Sequence, residues 1–151
     1  MVLSWQEAAV WRKTVTGTLV FTNGVFDILH RGHLDYLIEA RKLGNALIVG
    51  VNSDVSARML NKGPDRPYNR QEDRAFLLSQ MKPVDAVVIF DQPTPAELIE
   101  LLQPDIVVKG GDYKPEDVVG KDTVERRGGK VAIIPLTGGY STTGIVKNIR
   151  D

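Results

Sequence analysis

The sequence predicts an α/β fold: a single doubly wound domain with a five-stranded parallel sheet and helices on both faces. Three observations predict it. Apolar runs of strand length alternate with segments of helical periodicity along the whole chain. The runs at residues 46–51 and 86–90 are almost unbroken in apolar character, as in strands covered on both faces. Every glycine- and polar-rich turn singled out below follows a strand, so right-handed crossovers collect these turns on one edge of the sheet. The expected arrangement is Rossmann-like.

Size and composition narrow the function classes. A chain of 151 residues suits one domain, with 42% apolar and 25% charged residues. Lys plus Arg and Asp plus Glu both number 19, so no net field attracts nucleic acid and no nucleic-acid partner is expected. There is no cysteine, hence no disulfide framework and nothing that argues for export. Residues 1–13 lack the apolar core of a signal peptide, and no apolar run approaches a membrane span. A cytoplasmic location without a membrane partner is expected. No repeat, low-complexity segment or linker divides the chain. Residues 1–16 read as an N-terminal helical arm and residues 17–151 as the domain.

Residues 4–13 predict a short helix with Trp5, Ala8, Ala9 and Trp11 against the body, ended by Gly17. The first strand is residues 18–21, and Leu34, Leu37, Ile38 and Leu43 then recur at helical spacing. The second strand, 46–51, ends in Asn52-Ser53-Asp54, where Asn52 or Ser53 caps a short helix through Leu60. Asp54 then lies near the carboxyl ends of the strands. Residues 61–69 form a loop with two prolines, read either as a solvated connector or as a lid bringing Lys62, with Arg66 as a second cation, over phosphates. Asn69 begins the next helix with Glu72 in a capping-box pattern, and Ala75, Phe76, Leu78 and Met81 form its buried stripe. Arg70 and Arg74 share a face, as solvated charges, as partners of Glu72 and Asp73, or as a triphosphate clamp.

The third strand is 86–90. Thr94 caps the helix after it, with Pro95 first, Glu97 at the third position and Leu98, Ile99, Leu101 and Leu102 inward. Pro104 ends it, and the fourth strand is 106–108. Lys109-Gly110-Gly111-Asp112-Tyr113 follows as a turn that lets a ligand approach the backbone between a lysine and an acid. Residues 114–127 are partly helical, and 131–134 form the fifth strand. A Gly138-Gly139 loop leads to Ser141 and Thr142, caps of a last helix with Ile145, Val146 and Ile149 on its apolar face.

The stretch with the most chemistry is Thr22-Asn23-Gly24-Val25-Phe26-Asp27-Ile28-Leu29-His30-Arg31-Gly32-His33. It holds both histidines of the chain, three apart, where a strand has ended and a helix is starting. A helix N-terminus offers unpaired N–H groups and the positive end of the dipole, which attract phosphate. Two imidazoles add donors, and Gly32 lets a phosphate reach the backbone without meeting a Cβ. Ordinary surface or cap histidines are the bland alternative. A zinc site would lack a third histidine or a cysteine to complete its ligands.

These residues carry a resemblance. Gly24-Val25-Phe26-Asp27 with His30-Arg31-Gly32-His33 resembles the signature of the HxGH nucleotidyltransferases, in the cytidylyltransferase-like branch. Lys109-Gly110-Gly111-Asp112-Tyr113-Lys114-Pro115-Glu116 and Ser141-Thr142-Thr143 are similar to the branch that adenylylates heptose 1-phosphate for ADP-heptose synthesis. That unit often stands in a bifunctional kinase–adenylyltransferase; with no kinase domain ahead of it, this chain looks like a stand-alone form. Related glycerol-phosphate cytidylyltransferases carry Arg-Thr-Glu-Gly where this chain has Leu136-Thr137-Gly138-Gly139.

The resemblance implies transfer of AMP from ATP to a heptose 1-phosphate with release of pyrophosphate, in lipopolysaccharide-core precursor synthesis. It implies His30, His33, Lys62 and Arg74 as catalytic residues. Asn23, Gly24, Phe26, Gly32, Lys109, Gly110, Asp112, Ser141, Thr142 and Thr143 would bind nucleotide, and Asp27, Asp54 and Arg70 the acceptor. It also implies Mg²⁺ carried with ATP, no metal held by the protein alone, and a homo-oligomer. A cytidylyltransferase for glycerol 3-phosphate or a similar polyol phosphate, and a nucleotide-binding module without catalysis, are the other readings.

Overall fold

The computed structural model describes residues 1–60, 63–136 and 141–150, apart from the Thr142 side chain. The elements run β1 (Val2–Leu3), α1 (Trp5–Arg12), β2 (Leu19–Gly24), α2 (Arg31–Arg41), β3 (Ala46–Asn52), α3 (Asp54–Arg58) and α4 (Gln71–Ser79). They continue with β4 (Ala86–Phe90), α5 (Ala96–Leu102), β5 (Ile106–Gly110), a 3₁₀ turn (Pro115–Asp117), α6 (Lys121–Arg126), β6 (Lys130–Ile134) and α7 (Thr142–Arg150). The sheet has six strands, not the expected five, in the order β1-β4-β3-β2-β5-β6, and every pairing is parallel. The added strand is β1. At two residues it is too short to give any periodicity, and it exists only because Val2 and Leu3 pair with Val87 and Val88 of β4. Among the described residues no helix is long and apolar enough to cross a membrane.

Side-chain alternation sorts the strands into two cores. Leu19, Phe21, Ile48, Val88 and Val107 face one way and meet Ala8 of α1, Leu98, Ile99 and Leu102 of α5, and Val124 of α6. Val20, Leu47, Val49, Val87 and Val108 face the other way and meet Leu37 and Ala40 of α2 and Ala75 and Leu78 of α4. Helices therefore cover both faces, as the continuous apolar runs require.

The amino edge of the sheet is pinned by carboxylates. Asp105 accepts the Leu19 N–H at 2.8 Å and pairs with Arg12 at 3.4 Å, while Asp85 accepts the Leu47 N–H at 2.8 Å and pairs with Arg41 at 3.0 Å. The carboxyl edge is left for other work. The chain goes outward from β2 to β3 to β4, then returns across β2 to β5. The strand order thus reverses beside β2, and the crevice of an open α/β sheet opens at that point.

The expected N-terminal helix is present, and several other local expectations are corrected. α1 is capped by Ser4 through a reciprocal box with Glu7 (3.1 and 2.9 Å). α4 starts at Gln71 with Arg70 at the N-cap, so Glu72 completes no capping box. Asn69 is engaged elsewhere: its N–H and side-chain amide both bond to Asp27. The buried stripe of α4 is Arg74, Ala75 and Leu78, so Phe76 is turned outward and 59% exposed. Pro95, not Thr94, is the N-cap of α5, and Leu101 is exposed. Ile149 of α7 is also exposed. Strand β5 continues through Lys109 and Gly110, which become ladder residues, and the turn begins at Gly111.

Candidate functional site

At the switch point the chain encloses a cavity of about 350 Å³. Its walls come from the exits of β2 and β5 and from the starts of α2 and α7. β2 supplies Asn23 and Gly24 as its last two residues, and β5 supplies Lys109 and Gly110.

His30 is the N-cap of α2, and His33 stands three residues on, one turn along the same face. Their rings stack with centroids 3.8 Å apart and 26° between planes. The His30 N–H donates to His33 Nδ1 at 3.2 Å. In the neutral His33 ring the proton therefore sits on Nε2. Burial pushes the His30 pKa below its ordinary 6.5. At neutral pH His30 is thus an uncharged donor.

Phe26 holds the pair from the side. Its ring lies 5.4 Å from that of His33, tilted by 59°. To place it, Phe26 takes φ of +51°, a left-handed conformation that costs a non-glycine residue of order 1 kcal/mol. Gly24 leaves the ring its seat, since a Cβ there would stand 3.0 Å from it.

Two buried side chains hold the turn after β2 to the segment facing it. Asp27 is 4% exposed; its carboxylate accepts the N–H groups of Tyr68 and Asn69 at 2.8 and 2.9 Å. Arg74 has no exposure at all. Its guanidinium donates to the carbonyls of Asn69, Val25 and Asn52 at 2.7–2.9 Å, and to Asp54 at 2.7 Å. One cation therefore joins the exits of β2 and β3 to the starts of α3 and α4.

On the opposite wall, the hydroxyls of Thr22 and Tyr36 are 2.6 Å apart and both reach the Val108 carbonyl (3.0 and 3.1 Å). Burial pushes the Tyr36 pKa up to about 12, so the hydroxyl keeps its proton. Lys109 lies 5.4 Å from the centre of the Tyr113 ring. At the start of α7, Ser141 Oγ accepts the Gly144 N–H at 2.8 Å.

The expected site residues fall into three groups. Asn23, Gly24, Phe26, Asp27, His30, Gly32, His33, Lys109, Gly110, Ser141 and Thr143 all line the cavity. Arg74, Asp54, Arg70 and Asp112 do not. Arg74 is spent on backbone carbonyls and on Asp54, and neither residue of that pair is in the cavity lining. Arg70 is 83% exposed in its side chain, 4.0 Å from Asp73. Asp112 lines a neighbouring groove with Tyr113 and Lys114. Lys62, the Gly138-Gly139 loop and the side chain of Thr142 lie outside the described residues. Sequence reasoning missed Tyr36, Ala57 and Leu136 in the lining. For Tyr36 a signal existed: it lies three residues beyond His33 on the same helix face.

The pocket at the switch point of the parallel sheet thus sets two imidazoles beside the N–H groups and the positive dipole end of a helix start. The model of the family described as cytidylyltransferase-like matches residues 21–148. The chain belongs to the cytidylyltransferase-like family. Within known members of that kind, it is 56% identical over 134 residues to the bifunctional protein HldE of Syntrophotalea carbinolica, covering 89% of this chain and 27% of that protein. To the bifunctional protein HldE of Magnetococcus marinus it is 54% identical over 131 residues, covering 87% and 27%. The chain thus spans about a quarter of these relatives' length. A solved structure, the lipopolysaccharide core biosynthesis protein of Thermoplasma volcanium, superposes with TM-score 0.67 at 32% identity, covering 81% of this chain and 98% of that one. The matched span of this family member runs from β2 into α7 and so includes every wall of the cavity.

Proposed function

We propose that the chain transfers AMP from MgATP to a heptose 1-phosphate, giving ADP-heptose and pyrophosphate. The carrying observation is the stacked His30–His33 pair at the α2 N-terminus, inside the one cavity that also gathers Lys109, Gly110, Ser141 and Thr143. The likeness to the HldE proteins and to a lipopolysaccharide core biosynthesis protein supports a sugar phosphate as acceptor.

In this reading a phosphate oxygen of the acceptor attacks the α-phosphorus, the new P–O bond forms, and the bond to the β-phosphate oxygen breaks in line. The nucleophile is already anionic near neutral pH, so the protein needs no general base. Its work is alignment and charge stabilisation. His30 and His33 donate to the phosphate oxygens as charge shifts onto the leaving pyrophosphate. The α7 start, with Ser141, receives the β- and γ-phosphates. Lys109, Gly110 and Tyr36 border the nucleotide. Lys62 adds a cation to the triphosphate. In this reading Mg²⁺ is carried in with ATP, as part of the substrate.

The test is pyrophosphate release with Mg²⁺, crossing ATP and CTP against heptose 1-phosphate and glycerol 3-phosphate. Release with ATP and heptose 1-phosphate alone is expected. Release with CTP and glycerol 3-phosphate would replace the substrates and keep the chemistry. Nucleotide binding without release from any pair would overturn catalysis.

A further inference from the structure

Arg66 is the cation of the segment facing the histidines that reaches the cavity wall. Arg70 and Arg74, which share that segment, do not. Its guanidinium stands 4.9 Å from the centre of the Tyr68 ring, and it donates to Thr143 Oγ1 of α7 at 3.4 Å. Tyr68 is itself fixed at both ends. Its N–H is held by the buried Asp27, and its hydroxyl is 3.2 Å from Arg150, at the far end of α7. Arg150 also pairs with Asp65 at 3.0 Å and lies 6.0 Å from the Tyr68 ring centre. The ring therefore contacts two guanidinium groups, one at the cavity and one at the C-terminal end of α7.

We propose that Arg66 holds the β- and γ-phosphates of ATP, the part that leaves as pyrophosphate, and that Tyr68 is its positioning residue. This rests on the reading of the cavity as the MgATP site. The choice of phosphates follows from the partner of Arg66. Thr143 belongs to the first turn of α7, so Arg66 and the helix start converge on one place. At 3.4 Å a neutral hydroxyl is a weak partner. A phosphate oxygen offers shorter, charge-assisted and bidentate bonds to the same fork, and takes the guanidinium from Thr143. Stacking on Tyr68 fixes the plane of the fork before the ligand arrives, which limits the entropy lost on binding.

Titration calorimetry of inorganic pyrophosphate with Mg²⁺, and separately of AMP, tests this without any sugar. Arg66→Gln should weaken pyrophosphate about tenfold or more while AMP stays within about twofold, because only the β- and γ-positions lose a charge-assisted fork. Arg66→Lys keeps the charge without the fork and should lose less. Tyr68→Leu should weaken pyrophosphate in the same direction and leave AMP alone. Circular dichroism melts control for folding. Unchanged pyrophosphate affinity in folded Arg66→Gln, equal loss of AMP and pyrophosphate, or a wild type that does not bind pyrophosphate would each overturn the assignment. A wild type that binds pyrophosphate through Arg66 but turns over no heptose 1-phosphate would instead overturn the acceptor and leave Arg66 in place.

Discussion

The turn after β2, residues 22–33, and the segment facing it, residues 63–74, use charge in opposite ways. The turn brings its two imidazoles to the cavity: His30 and His33 line it, stacked, with the His30 N–H donating to the His33 ring. The facing segment spends its strongest cation internally. Arg74 gives its guanidinium to three carbonyls and Asp54 and is wholly buried, while only Arg66 of that segment's arginines reaches the cavity. Chemistry on one side therefore depends on rigidity supplied from the other. A buried cation is tolerable here because every bond it makes is short and its charge is met by a carboxylate.

The sharpest way to break this comparison is to remove the internal cation. Arg74→Met should cost about 3–5 kcal/mol of stability, since Asp54 and three inward carbonyls lose their partner together. Urea unfolding measures it, read as a lower midpoint with an unchanged slope. A variant that stays as stable as the wild type and fails only in ATP binding would return Arg74 to the triphosphate.

Removing a donor on the other side should do the reverse. His33→Ala should lower turnover by about 10²–10³-fold, the usual cost of one transition-state donor, which is about 3–4 kcal/mol. Its unfolding midpoint should move far less than that of Arg74→Met, because His33 is half-buried whereas Arg74 is wholly buried and bonded to three carbonyls and Asp54. Steady-state pyrophosphate release and the same urea curve decide it. Near-normal turnover would remove His33 from the chemistry.

The same contrast explains what could be read in advance. β3 and β4 announced themselves, because strands buried on both faces are apolar throughout, and the histidine turn did so because its residues act where they stand. The two-residue strand β1 left no period to detect. Arg70 and Arg74 looked alike, as two arginines four apart on one helical stretch. Tertiary context separated them: α4 begins one residue after Arg70, which stays in solvent, and turns Arg74 into the core in the place the periodicity assigned to Phe76. Arg66 was read as a second cation of a loop, since nothing in the sequence says that Asp27 holds Tyr68 and Tyr68 in turn carries Arg66. Polar contacts between segments 40 residues apart leave no periodic trace.

The smallest expected effect separates the two histidines' shared site from its scaffold by pH. Burial depresses the His30 pKa in the folded state. As pH falls through the ordinary imidazole value of about 6.5, the unfolded chain takes up a proton that the native ring refuses until lower pH. The unfolded state then binds more protons, so stability is lost as the pH drops through that window and is fully present above it. Melting temperature followed from neutral to mildly acid pH should decline in the wild type, and His30→Gln should remove that part of the slope. Bound pyrophosphate should act in the opposite sense, because an anion beside the ring favours its charged form and raises the pKa. The acid slope of the wild type should therefore flatten with pyrophosphate present and stay unchanged by it in His30→Gln. An equal acid slope in wild type and His30→Gln would place the depressed titration elsewhere and leave the neutrality of His30 without support.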